Sequence, residues 1–302
     1  MVFRNNYKKI YLSETFKDTY IKVISIIIPC YNQGEFISDC IKSVKNQSYT
    51  DWECIVINDG STDYSKIVIE EEIANDNRFV LINQENKGLS TARNIGIALA
   101  TGKYILPLDA DDRIDKNFIS KSFEVLSNNP DIKLVYTLTE FFGNIQGVWK
   151  LPSYSQKQLS RNNIIPCTAV FKKEDWVEVG GYDDNLIYGW EDWDFWIGLL
   201  KGGGRVFQIK EVLFYYRKKE NSMLNAMTKK HMEYSLNYLS IKHADFFVRH
   251  YGSFKKLEET IFNLEDRQFR LFSSKRFVLD LFFRKFLHLA LFSKYDKLHK
   301  SE

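Results

Sequence analysis

The stretch Val23-Ile24-Ser25-Ile26-Ile27-Ile28-Pro29 decides the fold. It is a run of β-branched residues with no polar alternation, so both of its faces must be buried. That is the habit of a central parallel strand. Working outward, Glu53–Asn58 (ECIVIN) reads as a second buried strand, Phe79–Asn83 as a short third and Tyr104–Leu108 as a fourth. Helical spacing fills the gaps at Phe36–Val44, Tyr64–Ala74 and Leu89–Ala100, and resumes at Lys116–Leu126. Strand and helix alternating at short spacing imply right-handed βαβ units. The expected fold class is α/β, a Rossmann-like doubly wound, mostly parallel sheet.

Past about residue 130 the rhythm changes. Leu134–Phe142 and Ala169–Phe171 read as strands, Trp176–Gly180 as a helical turn and Trp190–Leu200 as an aromatic-rich helix ended by Gly202–Gly204. Val206–Ile209 and Leu213–Arg217 read as short strands, and everything from Thr228 onward as helix. The sharpest composition shift lies near Lys218–Thr228 and marks a candidate boundary. No internal repeat or low-complexity segment interrupts the chain.

Bulk composition bounds the function. The 302 residues are 44% hydrophobic and 27% charged, an ordinary globular balance. That length suits one α/β domain of roughly 200–250 residues plus an appendage. A net charge of +3 gives no ground for nucleic acid as a partner. Cys30, Cys40, Cys54 and Cys167 form no C-x-x-C pair, which argues against zinc and for reduced thiols. Met1–Lys22 lacks the apolar run of a secretory signal, and no stretch of about 18 apolar residues suggests a membrane span. A cytoplasmic protein is expected, with a membrane surface as a further setting.

In an open parallel sheet, ligands bind beyond the carboxyl ends of the strands. The residues there carry the chemistry. After the first strand, Pro29-Cys30-Tyr31-Asn32 offers a Tyr31 ring that could stack a base or simply pack. After the second, Asn58-Asp59-Gly60-Ser61-Thr62-Asp63 places Asp59 where a uracil N–H or ribose hydroxyl could donate to it. Gly60 permits a tight turn there, and Ser61 or Asp63 could cap the next helix. After the third, Asn86-Lys87-Gly88-Leu89-Ser90-Thr91-Ala92-Arg93-Asn94 opens a helix with Lys87 and Arg93 as cations for a diphosphate.

After the fourth strand comes Leu108-Asp109-Ala110-Asp111-Asp112. Three carboxylates in four residues repel one another unless a cation offsets them. Oxygen ligands on a loop suit Mg²⁺ or Mn²⁺, with substrate phosphates completing the shell; a solvated acidic turn is the plainer alternative. The second half adds Gly189-Trp190-Glu191-Asp192-Trp193-Asp194-Phe195-Trp196. Desolvation among Trp residues would raise a carboxylate pKa and suit it to general base work. Trp190 and Trp193 could stack on a sugar ring, or the segment could be an aromatic core helix.

These five clusters, in order over roughly residues 22–220, resemble the family 2 glycosyltransferases of the GT-A fold. The resemblance implies an inverting transferase acting on a nucleoside diphosphate sugar, with a UDP-sugar the first expectation. It implies a catalytic domain at 23–220, with a nucleotide-binding half at 23–130 and an acceptor half at 131–220. An extension at 1–22 precedes it and a helical region at 221–302 follows. Asp59 would contact the nucleoside, Asp109 would open the D-x-D signature, Asp111 would meet ribose or metal and Asp112 the metal. Asp192 would be the base, with Glu191 as the alternative, and Arg217 or Lys218 would cover the diphosphate. Asn58 departs from the commoner Asp but leaves the metal site untouched. The Q-x-x-R-W element of processive members is missing, which favours addition of one sugar.

From Arg267 to Glu302, nine Lys and Arg face three acids, a surplus of six in a chain of net +3. With Phe277, Phe282, Phe283 and Phe286, this reads as a basic amphipathic helix for a membrane surface. The acceptor would then be a saccharide or a polyprenyl-linked saccharide of cell-surface polysaccharide assembly. Packing on the catalytic domain or on another subunit, hence a homo-oligomer, is the other use of such a face. Rival readings are a sugar nucleotidyltransferase, which lacks its Gly-rich Arg loop here, and a non-catalytic sugar-nucleotide-binding or scaffold protein. A dinucleotide dehydrogenase is disfavoured, because no G-x-G-x-x-G follows the first strand.

Overall fold

A computed structural model describes residues 22–220 and 226–293. The expected extension before Lys22 and the basic residues Lys294, Lys297 and Lys300 lie outside the described residues. Strands β1 (Lys22–Cys30), β2 (Trp52–Asp59), β3 (Phe79–Gln84) and β4 (Gly102–Pro107) pair in parallel in the order β3-β2-β1-β4. The isoleucine run takes the middle, and Ile24, Ile26, Ile27 and Ile28 are all fully buried. β1 runs one residue past Pro29, with Cys30 in register with Asn58, while β4 leaves the ladder at Ile27 and Pro107. The missing proline N–H is therefore tolerated where one neighbour has already departed.

The crossovers are α1 (Ile37–Lys45), α2 (Ser65–Ile73) and α3 (Leu89–Leu99). α1 buries Ile37, Cys40, Ile41 and Val44, one face at helical spacing. α3 lies so near β1 that a Cβ at Gly96 would sit 2.5 Å from Ile27 Cγ2.

The second half holds β5 (Arg113–Ile114), α4 (Phe118–Asn128), β6 (Ile132–Gly143), β7 (Gly147–Val148), α5 (Gln156–Leu159) and β8 (Val170–Lys172). It ends with α6 (Lys173–Val179), α7 (Glu191–Leu200) and β9 (Arg205–Lys218). The sheet continues β4-β8-β6-β9-β5, with β7 on β6. β8 is antiparallel to both neighbours, β6 and β9 are parallel, and β5 is antiparallel to β9. The sheet is thus parallel through its first four strands and mixed beyond them. The two short strands expected at 206–217 are one strand, β9. Its register against β6 slips on either side of Leu138, which absorbs the polar Lys210–Glu211 step.

Helices α8 (Lys229–Lys242), α9 (Ala244–Tyr251), α10 (Phe254–Ser273) and α11 (Lys275–Leu287) follow. The chain forms two compact units that meet in sequence between Phe246 and Phe247. The break falls well past the composition shift at Lys218–Thr228, because α8 is fastened to the sheet unit. Lys242 Nζ pairs with Asp183 at 2.6 Å and Asp194 at 2.7 Å, and His243 Nε2 lies 2.8 Å from Asp194. Tyr238 donates its hydroxyl to Asp183 at 2.8 Å. In the second unit, α10 buries no residue, and Phe262 and Phe269 on it are exposed, as are Phe282 and Phe286 on α11. Among the described residues no helix is long and apolar enough to cross a membrane.

The close approach at Gly96 generates a stability test. Gly96→Val should lower stability by about 1–3 kcal/mol through overpacking against Ile27. The readout is a lower urea midpoint at an unchanged slope.

Candidate active site

The first four motifs read from the sequence lie at the carboxyl ends of β1 to β4, and the fifth opens α7. Past β1, Asn32 adopts a left-handed backbone with φ of 51°. Its Oδ1 accepts from Thr62 N at 2.8 Å, and its own N–H donates to Ser61 Oγ at 3.1 Å. Asp63 accepts from Ser65 N at 2.9 Å just before α2, whose N-cap position is Tyr64, so neither Ser61 nor Asp63 is the cap. Ser61 and Asp63 therefore serve the turn. Pro29 is buried in β1 opposite Ile57, whereas the Tyr31 ring is exposed beside this turn.

Gly60 has φ of +73°, and a Cβ there would lie 2.6 Å from Asn86 N. That absence lets the loop after β3 settle against the end of β2. Asp59, 3% exposed, completes the join: it accepts from Gln84 Nε2 at 2.7 Å, Lys87 N at 2.8 Å and Gly88 N at 2.9 Å. Both carboxylate oxygens of Asp59, the residue expected to contact the nucleoside, thus hold the 87–88 backbone. The Lys87 side chain is left exposed at the mouth of this loop.

Arg93 departs further from expectation. It is 1% exposed, whereas a cation for a diphosphate is expected to be open. Its Nη2 donates to Asp109 and its Nη1 to Glu191, each at 2.6 Å. Burial works against its charge, yet the two carboxylates hold its pKa above the ordinary value. Next to it, Asn94 receives Trp176 Nε1 at 3.1 Å and Tyr182 N at 2.9 Å, and donates to Tyr182 O at 2.8 Å. α3 thereby ties the end of β4 to the segment that enters α7.

In the acidic turn, Asp109, Asp112 and Cys167 bring one ligand atom each to within 4.8 Å of one another. Asp112 accepts from Arg217 N at 2.7 Å through Oδ1, while its buried Oδ2 has no partner. Burial, then Asp111 and Asp109, push the Asp112 pKa well up. Asp111, for which ribose or metal is expected, is not in this trio and pairs with Lys219 Nζ at 2.6 Å. Arg217 is also committed. Its Nε donates to Asp111 O at 2.8 Å and its Nη2 to Asp39 at 2.9 Å, with Phe36 and Phe142 flanking the guanidinium. The end of β9 thus latches onto the acidic turn.

The residues fit a hard divalent cation through oxygen. An orphaned buried carboxylate oxygen beside a second carboxylate is what such an ion satisfies, and substrate phosphates supply the rest. Cys167 suits it poorly, since burial and Asp109 push its thiol pKa up and soft sulfur ranks low for Mg²⁺ or Mn²⁺.

At α7, Trp190 is the N-cap in a left-handed conformation, φ 66°. Glu191 is taken by Arg93, and Asp194 by Lys242 and His243. Asp192 accepts from Asn163 Nδ2 and Trp193 N, both at 2.8 Å, and meets no cation among the described residues. Burial and Glu191 push its pKa up to about 7, against the opposing pull of Arg93 and these two N–H groups. Trp193 is 5% exposed and donates Nε1 to Leu159 O at 2.8 Å. It belongs to the core instead of facing a sugar, while Trp190 packs edge-on against it at 5.9 Å and is only partly buried. Asn163, Cys167 and Lys219 were not singled out for this site from sequence. No motif flags them, and the first two come from an unpatterned loop. A separate cavity of about 700 Å³, lined by Asp39, Lys42, Arg113 and Lys116 among others, contains none of the expected site residues.

Comparison with known proteins follows from this geometry. The sequence matches the description Glycosyl transferase family 2 over residues 25–188. It is 30% identical to the chondroitin synthase of Escherichia coli over 187 residues, 61% of this chain. The chain spans only 27% of that relative's length. Its fold is similar to Staphylococcus aureus TarS 1–349 in complex with UDP-GlcNAc, with a TM-score of 0.64 at 18% identity over 76% of this chain and 71% of that one. It is also similar to the mannosyltransferase PcManGT of Pyrobaculum calidifontis in complex with GDP-Man and Mn²⁺. There the TM-score is 0.54 at 15% identity, over 90% and 88% of the two chains. Both structural likenesses are of fold.

The Arg93 clamp generates its own test. Arg93→Met leaves two carboxylates without their cation and should cost about 3–5 kcal/mol, measured by chemical denaturation.

Proposed function

Because the chain belongs to glycosyl transferase family 2, we propose that it moves one sugar, with inversion, from a nucleoside diphosphate sugar to a saccharide or lipid-linked saccharide acceptor. The observation that carries this is the buried Arg93 joining Asp109 of the acidic turn to Glu191 of α7, with Asp112 close to Asp109 and, among the described residues, Asp192 alone of the α7 acids without a cation partner.

The roles follow from exposure and partners. Tyr31 and Lys87 are the open groups beyond β1 and β3, suited to a base and a diphosphate. Asp109 and Asp112 would hold Mn²⁺ or Mg²⁺, which when bound neutralises the diphosphate leaving group. Lys218 adds positive charge beside Asp112. Asp192 removes the proton from the acceptor hydroxyl. The freed oxygen attacks the anomeric carbon, the bond to the diphosphate oxygen breaks and the configuration inverts. A base with a pKa near 7 is matched to that task. Glu191, neutralised by Arg93, is the weaker candidate.

For the donor, a UDP-sugar is the first choice, supported by the TarS complex, with a GDP-sugar next on the PcManGT complex. The chondroitin synthase likeness supports work on a cell-surface polysaccharide. The exposed Phe residues of α10 and α11, with Lys275, Arg276, Arg284 and Lys285 beside them, support a site on the inner membrane surface or against a second subunit.

Calorimetric titration with UDP, GDP and dTDP, with and without Mn²⁺, tests the donor site. One nucleotide should bind, and Asp112→Ala should abolish the metal requirement together with most of the affinity. No binding under any condition would return the acidic cluster to a plain turn. Asp192→Asn should lower kcat by about 10²–10⁴. In the wild type the base is protonated below its pKa, so kcat/KM should climb about tenfold per pH unit toward pH 7 and level off above it. A profile flat from about pH 5 to 8, the range a raised carboxylate would span, sinks Asp192 as the base.

A further inference from the structure

An aromatic cluster lies in the field of the acidic turn. Phe141 at the end of β6, Trp149 just past β7 and Tyr216 on β9 meet one another. The ring centroids are 5.4 Å apart for Phe141 and Trp149, 5.9 Å for Trp149 and Tyr216, and 6.0 Å for Phe141 and Tyr216. All three are only partly buried. Phe141 and Tyr216 are register partners across the β6–β9 ladder. Trp149 is held by its N–H, which donates to Thr139 O at 2.8 Å. The hairpin that carries Trp149 also exposes Ile145 (57%) and Val148 (47%), where a surface turn would ordinarily be polar.

Position connects this patch to the chemistry. Tyr216 precedes Arg217, whose backbone N–H is bonded to Asp112. Burial raises the Tyr216 pKa, and the carboxylates of Asp112, Asp109 and Asp111 add to it, so the ring lies in their field. In strand order, β8 lies between β4, which carries the acidic turn, and β6. The acidic turn leads from β4 to β5, and β5 pairs with β9, so in strand order the patch on β6 and β9 lies between the two strands that the turn joins. Lys218 Nζ sits 4.6 Å from the centroids of both Phe141 and Tyr216. With a cation over those two rings, Trp149 is the ring that remains to receive a ligand.

We propose that Trp149, backed by Phe141 and Tyr216, is the stacking platform for the acceptor, taking the C–H face of a pyranose ring next to the scissile centre. This rests on the transferase reading. A flat apolar ring with a few polar neighbours is the usual surface for such an amphipathic ligand. The platform fixes the acceptor ring from the β6–β9 side, while Asp192 meets its hydroxyl.

The test probes the full chain on an array of bacterial cell-surface oligosaccharides, with and without UDP and Mn²⁺. Wild type should bind at least one saccharide. Trp149→Ala and Trp149→Leu should each weaken that binding about tenfold or more, and Trp149→Phe should retain most of it. Leucine keeps apolar bulk without the π face, so equal losses in both variants separate stacking from packing. UDP affinity, measured in parallel by calorimetry, should stay within about threefold in every variant. No bound saccharide, or binding indifferent to Trp149, overturns the platform. So does a loss seen only as weaker UDP-GlcNAc relative to UDP, which would place the ring against the donor sugar. Failure of wild type to bind any nucleotide sinks the transferase reading itself and is read separately, from the calorimetry.

Discussion

The site depends on one buried cation. Taking the Arg93 guanidinium out of water costs several kcal/mol, and only close, well-directed partners return it. Arg93 has two, Asp109 and Glu191, each at 2.6 Å. Those partners belong to different halves of the sheet unit: one follows β4 and the other opens α7. The guanidinium therefore fixes the spacing between the acidic turn and the helix that carries Asp192, the proposed base. It also pulls the Asp192 pKa downward against burial, which keeps that carboxylate usable near neutral pH.

Around that clamp, partners sort the acids into roles. Asp59 is spent on backbone amides, Asp111 on Lys219, Glu191 on Arg93 and Asp194 on Lys242 and His243. What is left is Asp112, with a buried oxygen that has no partner, and Asp192, held only by neutral donors. Chemically identical groups acquire different tasks from their surroundings, as paired carboxylates do in many enzymes. An isolated uncompensated charge is costly, so these two mark where the fold leaves room for something else: a cation at one, a proton at the other.

The parallel half was legible because a strand buried on both faces announces itself as an unbroken apolar run, and Val23–Pro29 is one. The strand-end motifs were legible for the same reason, since their place follows from the strands. Individual tasks were less so. Asp59 and Arg93 look from sequence like ligand contacts, yet hydrogen bonds to neighbours 28 and 98 residues away claim them. Trp193 resembles a sugar platform until Leu159 accepts its indole N–H. Asn163 lies 29 residues from the carboxylate it orients. Long-range pairings of this kind leave no periodic trace. The β6–β9 region was blurred as well, because a register slip hid one strand as two.

Asp192 is aimed by the backbone that enters α7. Trp190, immediately after Gly189, enters α7 in a left-handed conformation, which costs a bulky residue about 1–3 kcal/mol. Such a bend persists only if the structure on both sides over-determines it. On α7 it does: Glu191 is clamped by Arg93 and Asp194 by Lys242 and His243, so the first turn is fixed at two of its acids. Asp192 lies between these anchors and has little freedom to turn away. α8, which from composition resembles part of a separate tail, thereby becomes a support for the proposed base. The strain at Trp190 and the long reach of Lys242 are two sides of one constraint, which holds the Asp192 carboxylate in place with its pKa raised to about 7.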